Sequence, residues 1–128
     1  MASTMYERVG GEGFFRSLVD RFYSGVASDT VLRPLYPEDL EVPNEHLRLF
    51  LIQYWGGPHS YDERRGHPRL RMRHAPFEIG LAERDAWLHH MLSALAEQGI
   101  DREDQAEMAE YFRITATQLV NQTARRPR

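Results

Sequence analysis

The stretch Leu70-Arg71-Met72-Arg73-His74-Ala75-Pro76-Phe77 puts one imidazole at the end of a short apolar segment, between guanidinium groups and a proline. An imidazole can hold a metal through one ring nitrogen while the other bonds a carbonyl, which fixes the tautomer. Leu70 and His74 are four apart and Phe77 follows, so an apolar wall can surround the ligand nitrogen. Arg71 and Arg73 add planar donor forks suited to carboxylates. Elsewhere Tyr23, Tyr36, Tyr54 and Trp87 offer phenol and indole donors on apolar bodies. A histidine ending a helix also has a purely structural use, bonding the last unpaired carbonyls. Its surroundings must separate the two.

Composition narrows the chemistry. The chain has no cysteine, which removes disulfides, thiolate catalysis, iron–sulfur clusters and cysteine-held zinc. Metal chemistry then falls to His, Asp, Glu or Tyr. A net charge of −3 argues against nucleic acid or an anionic membrane as partner, so the arginines of ERRGHPRLRMRH read as a solvated or ligand-facing patch. No segment approaches the roughly 20 apolar residues needed to span a bilayer, and the first residues carry no cationic start followed by an apolar run. A cytoplasmic protein is expected.

The elements that must position these groups read as helices. Phe14, Phe15, Leu18, Val19, Phe22, Tyr23 and Val26 follow the spacing of one helix face. Ser28 and Asp29 can cap a short turn through Val31 and Leu32, and Pro34 and Pro37 bracket Leu35 and Tyr36 in a tight corner. Pro43 suits a first helical position, and Leu47, Phe50, Leu51 and Tyr54 mark the next face until Gly56, Gly57 and Pro58 end it. Residues 56–68 are expected to form a long surface loop before a short segment from Arg69 to Ala75. Glu83 and Asp85 favour a helix start, with Trp87, Leu88, Met91, Leu92 and Leu95 on its buried side and Gly99 as its stop. Asp101 can cap a last helix carrying Met108, Tyr111, Phe112, Thr115 and Leu119. No period-two run competes, so the expectation is an all-α chain with about four principal helices in bundle or globin-like packing. Residues 1–128 read as one domain, with a short N-terminal segment over about 1–12 and a frayed tail at 122–128.

A flat, apolar, iron-bearing ligand with two carboxylates would use an axial imidazole, an apolar slot, an arginine and polar-tipped aromatics together; that ligand is haem. RFYSGVASDTVLRPLYPEDL, LRLFLIQYWGGP, YDERRGHPRLRMRHAPFEIG and ERDAWL resemble the group II truncated haemoglobins, small bacterial globins with a two-over-two helical sandwich. The resemblance runs from Tyr6 to about Asn121. It implies haem b, His74 as the proximal iron ligand (the metal site), and Tyr23, Tyr36 and Trp87 as distal donors. It further implies a cofactor slot of Leu47, Phe50, Leu51, Leu70, Phe77, Ile79 and Met91, with Arg73 on a propionate and Tyr61 placed to reach one. Phe22, beside Tyr23, is open to either pocket or core. Gly10-Gly11 and Gly56-Gly57 match glycines that permit sharp connections. The register puts Pro43 or Asn44 where many globins keep a distal histidine or glutamine.

The remaining histidines read as ordinary. His89 and His90 are adjacent and about 100° apart on a helix; His46, His59 and His67 are expected on the surface or in loops, with His67 able to brace the loop over the haem. Tyr54, Trp55, Phe15, Tyr111 and Phe112 read as core or helix contacts. The function implied is binding of O2, CO and NO at ferrous haem, with several donors slowing O2 release. That suits a scavenger, sensor or redox catalyst better than a transport protein. Nitric oxide dioxygenation or peroxide consumption at the same haem is the rival reading, and it would require a separate reductase. A monomer or homodimer is expected.

Overall fold

A computed structural model describes residues 3–65 and 69–121. The expectations for His67 and for the 122–128 tail lie outside those residues, as does the side chain of Arg71. Among the described residues there are seven α-helices and no strand: α1 (Met5–Val9), α2 (Glu12–Val26), α3 (Glu41–Tyr54), α4 (Ser60–Arg65), α5 (Leu70–His74), α6 (Leu81–Ala96) and α7 (Arg102–Gln118). A single 3-10 turn, Arg33–Leu35, interrupts the path from α2 to α3.

The expected all-α architecture is what forms. The four long helices pair as α2 with α3 and α6 with α7, and α2 also packs along α6, so two layers of two helices share a core. Phe15, Leu18, Val19, Phe22 and Val26 of α2 meet Leu51, Met91, Leu95, Met108 and Phe112, all essentially sealed from solvent. Phe22 is therefore a core residue.

Two local expectations change. The segment 56–68 contains helix α4 at Ser60–Arg65 instead of a continuous loop. Its first turn is stabilised from outside: the Gln53 side-chain oxygen on α3 accepts the Asp62 amide hydrogen at 3.0 Å. Helix α3 begins at Glu41, two residues before Pro43, because Asp39 Oδ1 accepts the Glu41 amide at 3.0 Å. Pro43 remains in the first turn, where a missing amide hydrogen costs nothing.

The N-terminal segment holds α1, which the sequence reading left without structure. Thr4 Oγ1 accepts the Glu7 amide at 3.1 Å and Glu7 Oε1 accepts the Thr4 amide at 3.0 Å, a reciprocal cap whose T-x-x-E spacing is visible in the sequence. Gly10, at φ 115, ends the helix in a conformation that a β-carbon disfavours. Tyr6 then donates its amide to Trp55 O at 2.9 Å, tying α1 to the end of α3. The approach is close enough that a β-carbon on Gly57 would lie 2.6 Å from Ile52 Cγ2 and 2.8 Å from the Tyr6 ring.

The corner between α2 and α3 is built as expected, in more detail. Asp29 Oδ1 accepts the amides of Val31 and Leu32 at 2.8 and 3.0 Å. Arg33 folds back to donate to the carbonyls of Tyr36, Pro37 and Glu38 at 3.3, 2.9 and 2.9 Å. One guanidinium thus fixes the backbone around Tyr36.

Candidate functional site

The two layers of helices do not close completely, and they leave a cavity of about 370 Å³. It is walled by the Leu32–Pro37 corner, α3, α5 with the loop after it, α6 and α7. Leu47, Phe50, Leu51, Tyr61, Leu70, Arg73, His74, Phe77 and Ile79 all line it, together with Tyr23, Tyr36 and Trp87. The sequence had singled out every one of these. Tyr61, on α4, is buried with its ring edge-on to Phe50 at 5.5 Å.

His74 ends α5 half-buried, and its Nδ1 lies 2.7 Å from Leu70 O, one turn back on the same helix. A carbonyl only accepts, so Nδ1 carries the hydrogen and Nε2 keeps its lone pair. The segment after His74 is clamped from the end of α7. Asn121 accepts the Ile79 amide on Oδ1 at 2.9 Å, donates Nδ2 to Phe77 O at 2.8 Å, and gives its own amide to Ile79 O at 2.8 Å. Its Nδ2 also lies 3.5 Å from His74 O. Asn121 carried no signal of this role, because the contacts span more than 40 residues.

The phenols and the indole form one cluster. The rings of Tyr23 and Tyr36 meet edge-on at 5.5 Å. Burial pushes the Tyr23 phenol far up from its ordinary range, with the proximity of Tyr36 and a hydrogen bond given to Tyr36 adding to the effect. Tyr36 is also pushed up by burial, to about 12, against the opposing pull of hydrogen bonds from Tyr23 and Trp87. A hydrogen bond that lowers an acid's pKa is one its oxygen accepts. Tyr23 and Trp87 thus lie close enough to Tyr36 to act on its phenol, and all three side chains face the cavity.

Two placements differ from expectation. Met91 is fully buried in the core cluster, one turn beyond Trp87 on α6, and does not line the cavity. His46, expected on the surface, does line it, because it shares the α3 face that carries Pro43, Leu47 and Phe50. Tyr111 and Phe112 make the expected core and helix contacts and form cavity wall as well. The choice between Pro43 and Asn44 falls to Pro43: it lines the cavity, whereas the Asn44 amide donates to Asp20 Oδ1 at 3.0 Å and accepts from Arg48 at 3.2 Å. His46, Glu83, Arg84 and Thr115 are lining residues that the sequence reading did not name as such.

Among the described residues, no three His, Asp or Glu side chains gather to hold a metal ion. With no three such groups together, the cavity offers a bare cation too few ligands, so an ion held there must bring others with it. A porphyrin does this. The apolar slot, the free Nε2 of His74 and the guanidinium groups of Arg73 and Arg84 on the wall fit haem and its two propionates.

Comparison with known proteins agrees. The profile of the bacterial-like globin family matches residues 4–121. The group 2 truncated hemoglobin YjbI of Bacillus subtilis is 42% identical over 118 residues, covering 92% of this chain and 89% of that protein. The crystal structure of the hemoglobin from the thermophilic phototroph Chloroflexus aurantiacus superposes with a TM-score of 0.93 at 57% identity, over 94% of this chain and 100% of that one. The truncated oxygen-avid haemoglobin of Bacillus subtilis superposes with a TM-score of 0.88 at 40% identity, over 93% and 100%. With its two-over-two helices enclosing an apolar cavity, the chain belongs to the bacterial-like globins, as a group II truncated haemoglobin that binds haem and diatomic gases.

Proposed function

We propose that this chain binds haem b through His74 Nε2 and holds O2 tightly beneath the hydrogen of Tyr36, with CO and NO as alternative ligands. Without cysteine there is no thioether attachment, which favours the non-covalent b-type group. When bound, haem supplies an iron with one axial position open to a diatomic gas.

The observation that carries the reading is the meeting of Tyr23, Tyr36 and Trp87 in the cavity that also holds His74. In this reading Tyr23 and Trp87 direct their hydrogens at Tyr36, orienting its phenol, and the phenol's own hydrogen is left for a guest. Bound O2 bears partial negative charge and CO much less, so a fixed donor in a dry pocket favours O2. The bond that His74 Nδ1–H gives to Leu70 O orients the ring and turns Nε2 toward the guest. The oxygen-avid Bacillus subtilis relative supports slow release here. Slow release in turn fits scavenging, sensing or redox use, the last with electrons from a separate reductase.

Reconstitution with hemin, followed by spectra of the oxidised, reduced and CO-bound protein, tests the axial assignment. His74→Ala should lose or rearrange ligation. Tyr36→Phe should leave the ferrous spectrum intact and speed O2 release by roughly 10- to 100-fold, the loss of one strong hydrogen bond worth about 1.5–3 kcal/mol. A His74→Ala protein with the wild-type spectrum would overturn the assignment.

A further inference from the structure

Outside the cavity, the Tyr36 corner and α6 are joined a second time. His90 Nε2 lies 2.7 Å from Asp29 Oδ2, and the two side chains are only 20% and 18% exposed. A carboxylate only accepts, so the imidazole carries the hydrogen. The other Asp29 oxygen closes the turn through the Val31 and Leu32 amides. One carboxylate therefore holds the corner with one oxygen and α6 with the other.

What lies at each end matters for the pocket. The turn that Asp29 closes leads through Leu32, buried against the cavity, into the 3-10 turn and Tyr36. Three residues before His90, on nearly the same face of α6, is Trp87. The His90 ring is itself seated over Gly25 of α2, where a β-carbon would overlap it, so the ring has no room to swing back. The bond from His90 is the largest influence holding the Asp29 carboxyl below its usual range.

We infer that the Asp29–His90 pair is a positioning device for the gas pocket: it sets the spacing between the Tyr36 corner and α6, and with it the approach of Trp87 to Tyr36. This rests on the proposed role of Tyr36 and Trp87 as the pocket's polar groups. A pair that merely stabilises the fold would affect melting and leave the pocket unchanged. Neither residue touches the guest.

The test uses the haem-loaded protein and reads the C–O stretching frequency of its CO complex beside the O2 dissociation rate. A donor facing CO lowers that frequency, so loosening the pocket raises it. His90→Leu should shift the stretch toward the value of Trp87→Phe and speed O2 release roughly threefold to tenfold. His90→Gln, which can still donate to Asp29, should recover most of the wild-type behaviour. Gly25→Ala, pushing on the ring from beneath, should reproduce part of the defect should His90→Leu fold poorly. The inference is overturned when His90→Leu and Gly25→Ala lower the melting temperature yet keep the wild-type stretch and release rate. A silent Trp87→Phe would instead count against the pocket reading on which the inference rests.

Discussion

At the scale of single residues, the cavity phenols make a pH-dependent contribution whose sign can be worked out. Tyr36 and Tyr111 are both raised from 10.0 to about 12, in each case chiefly by burial. Between those values the unfolded chain has released protons that the folded chain retains, so stability falls as pH rises from 10.0 to about 12 and is unaffected below. Absorbance titration of the haem-free protein should show late-ionising phenols, and Tyr36→Phe should remove one and move alkaline unfolding to higher pH. An unchanged titration in that variant would show that Tyr36 ionises like an exposed phenol. His74 was legible in the sequence because Leu70, Arg73 and Phe77 give it a recognisable neighbourhood, and Tyr36 because two prolines bracket it. Met91 was misplaced for an equally physical reason. It lies four residues after Trp87 on the same apolar stripe, and spacing alone does not say where a stripe passes from cavity wall into core.

The elements divide in the same way. The long helices α2, α3, α6 and α7 were readable because each sustains an apolar face over several turns, with Asp101 accepting the Glu103 amide at 3.1 Å at the start of α7. Helix α4 was not, since glycines, prolines and charges surround it and part of what supports it comes from Gln53 on another helix. His46 was misread because its type suggested the surface while its position on the α3 face pointed inward. The connection between α5 and α6 depends on a similar distant contact. Asn121→Ala removes the bonds to the Ile79 amide and the Phe77 carbonyl and leaves the backbone bond to Ile79 O. Stability should fall by about 1–2 kcal/mol, and haem should transfer faster to an acceptor apoprotein because Phe77 and Ile79 form the wall beside His74. Thermal unfolding and hemin transfer measure the two effects separately.

For the molecule as a whole, cavity and core are continuous: α2 supplies Tyr23 to the one and Phe22 to the other, while packing on both α3 and α6. Haem that binds the folded chain and not the unfolded one must stabilise it by mass action, by about 4 kcal/mol at a thousandfold excess over the dissociation constant. The haem-loaded protein should therefore melt higher than the haem-free one, by a margin that grows with free hemin, and His74→Ala should narrow the gap. Equal melting temperatures would separate the cavity from haem binding. The lack of a three-ligand cluster among the described residues carries one more implication, for competition from free zinc or copper ions. A naked ion arriving there meets no cluster of three ligands, whereas iron already chelated in a macrocycle would need only one further ligand, which His74 could give. Chelators that empty zinc proteins should therefore leave the haem-loaded protein untouched.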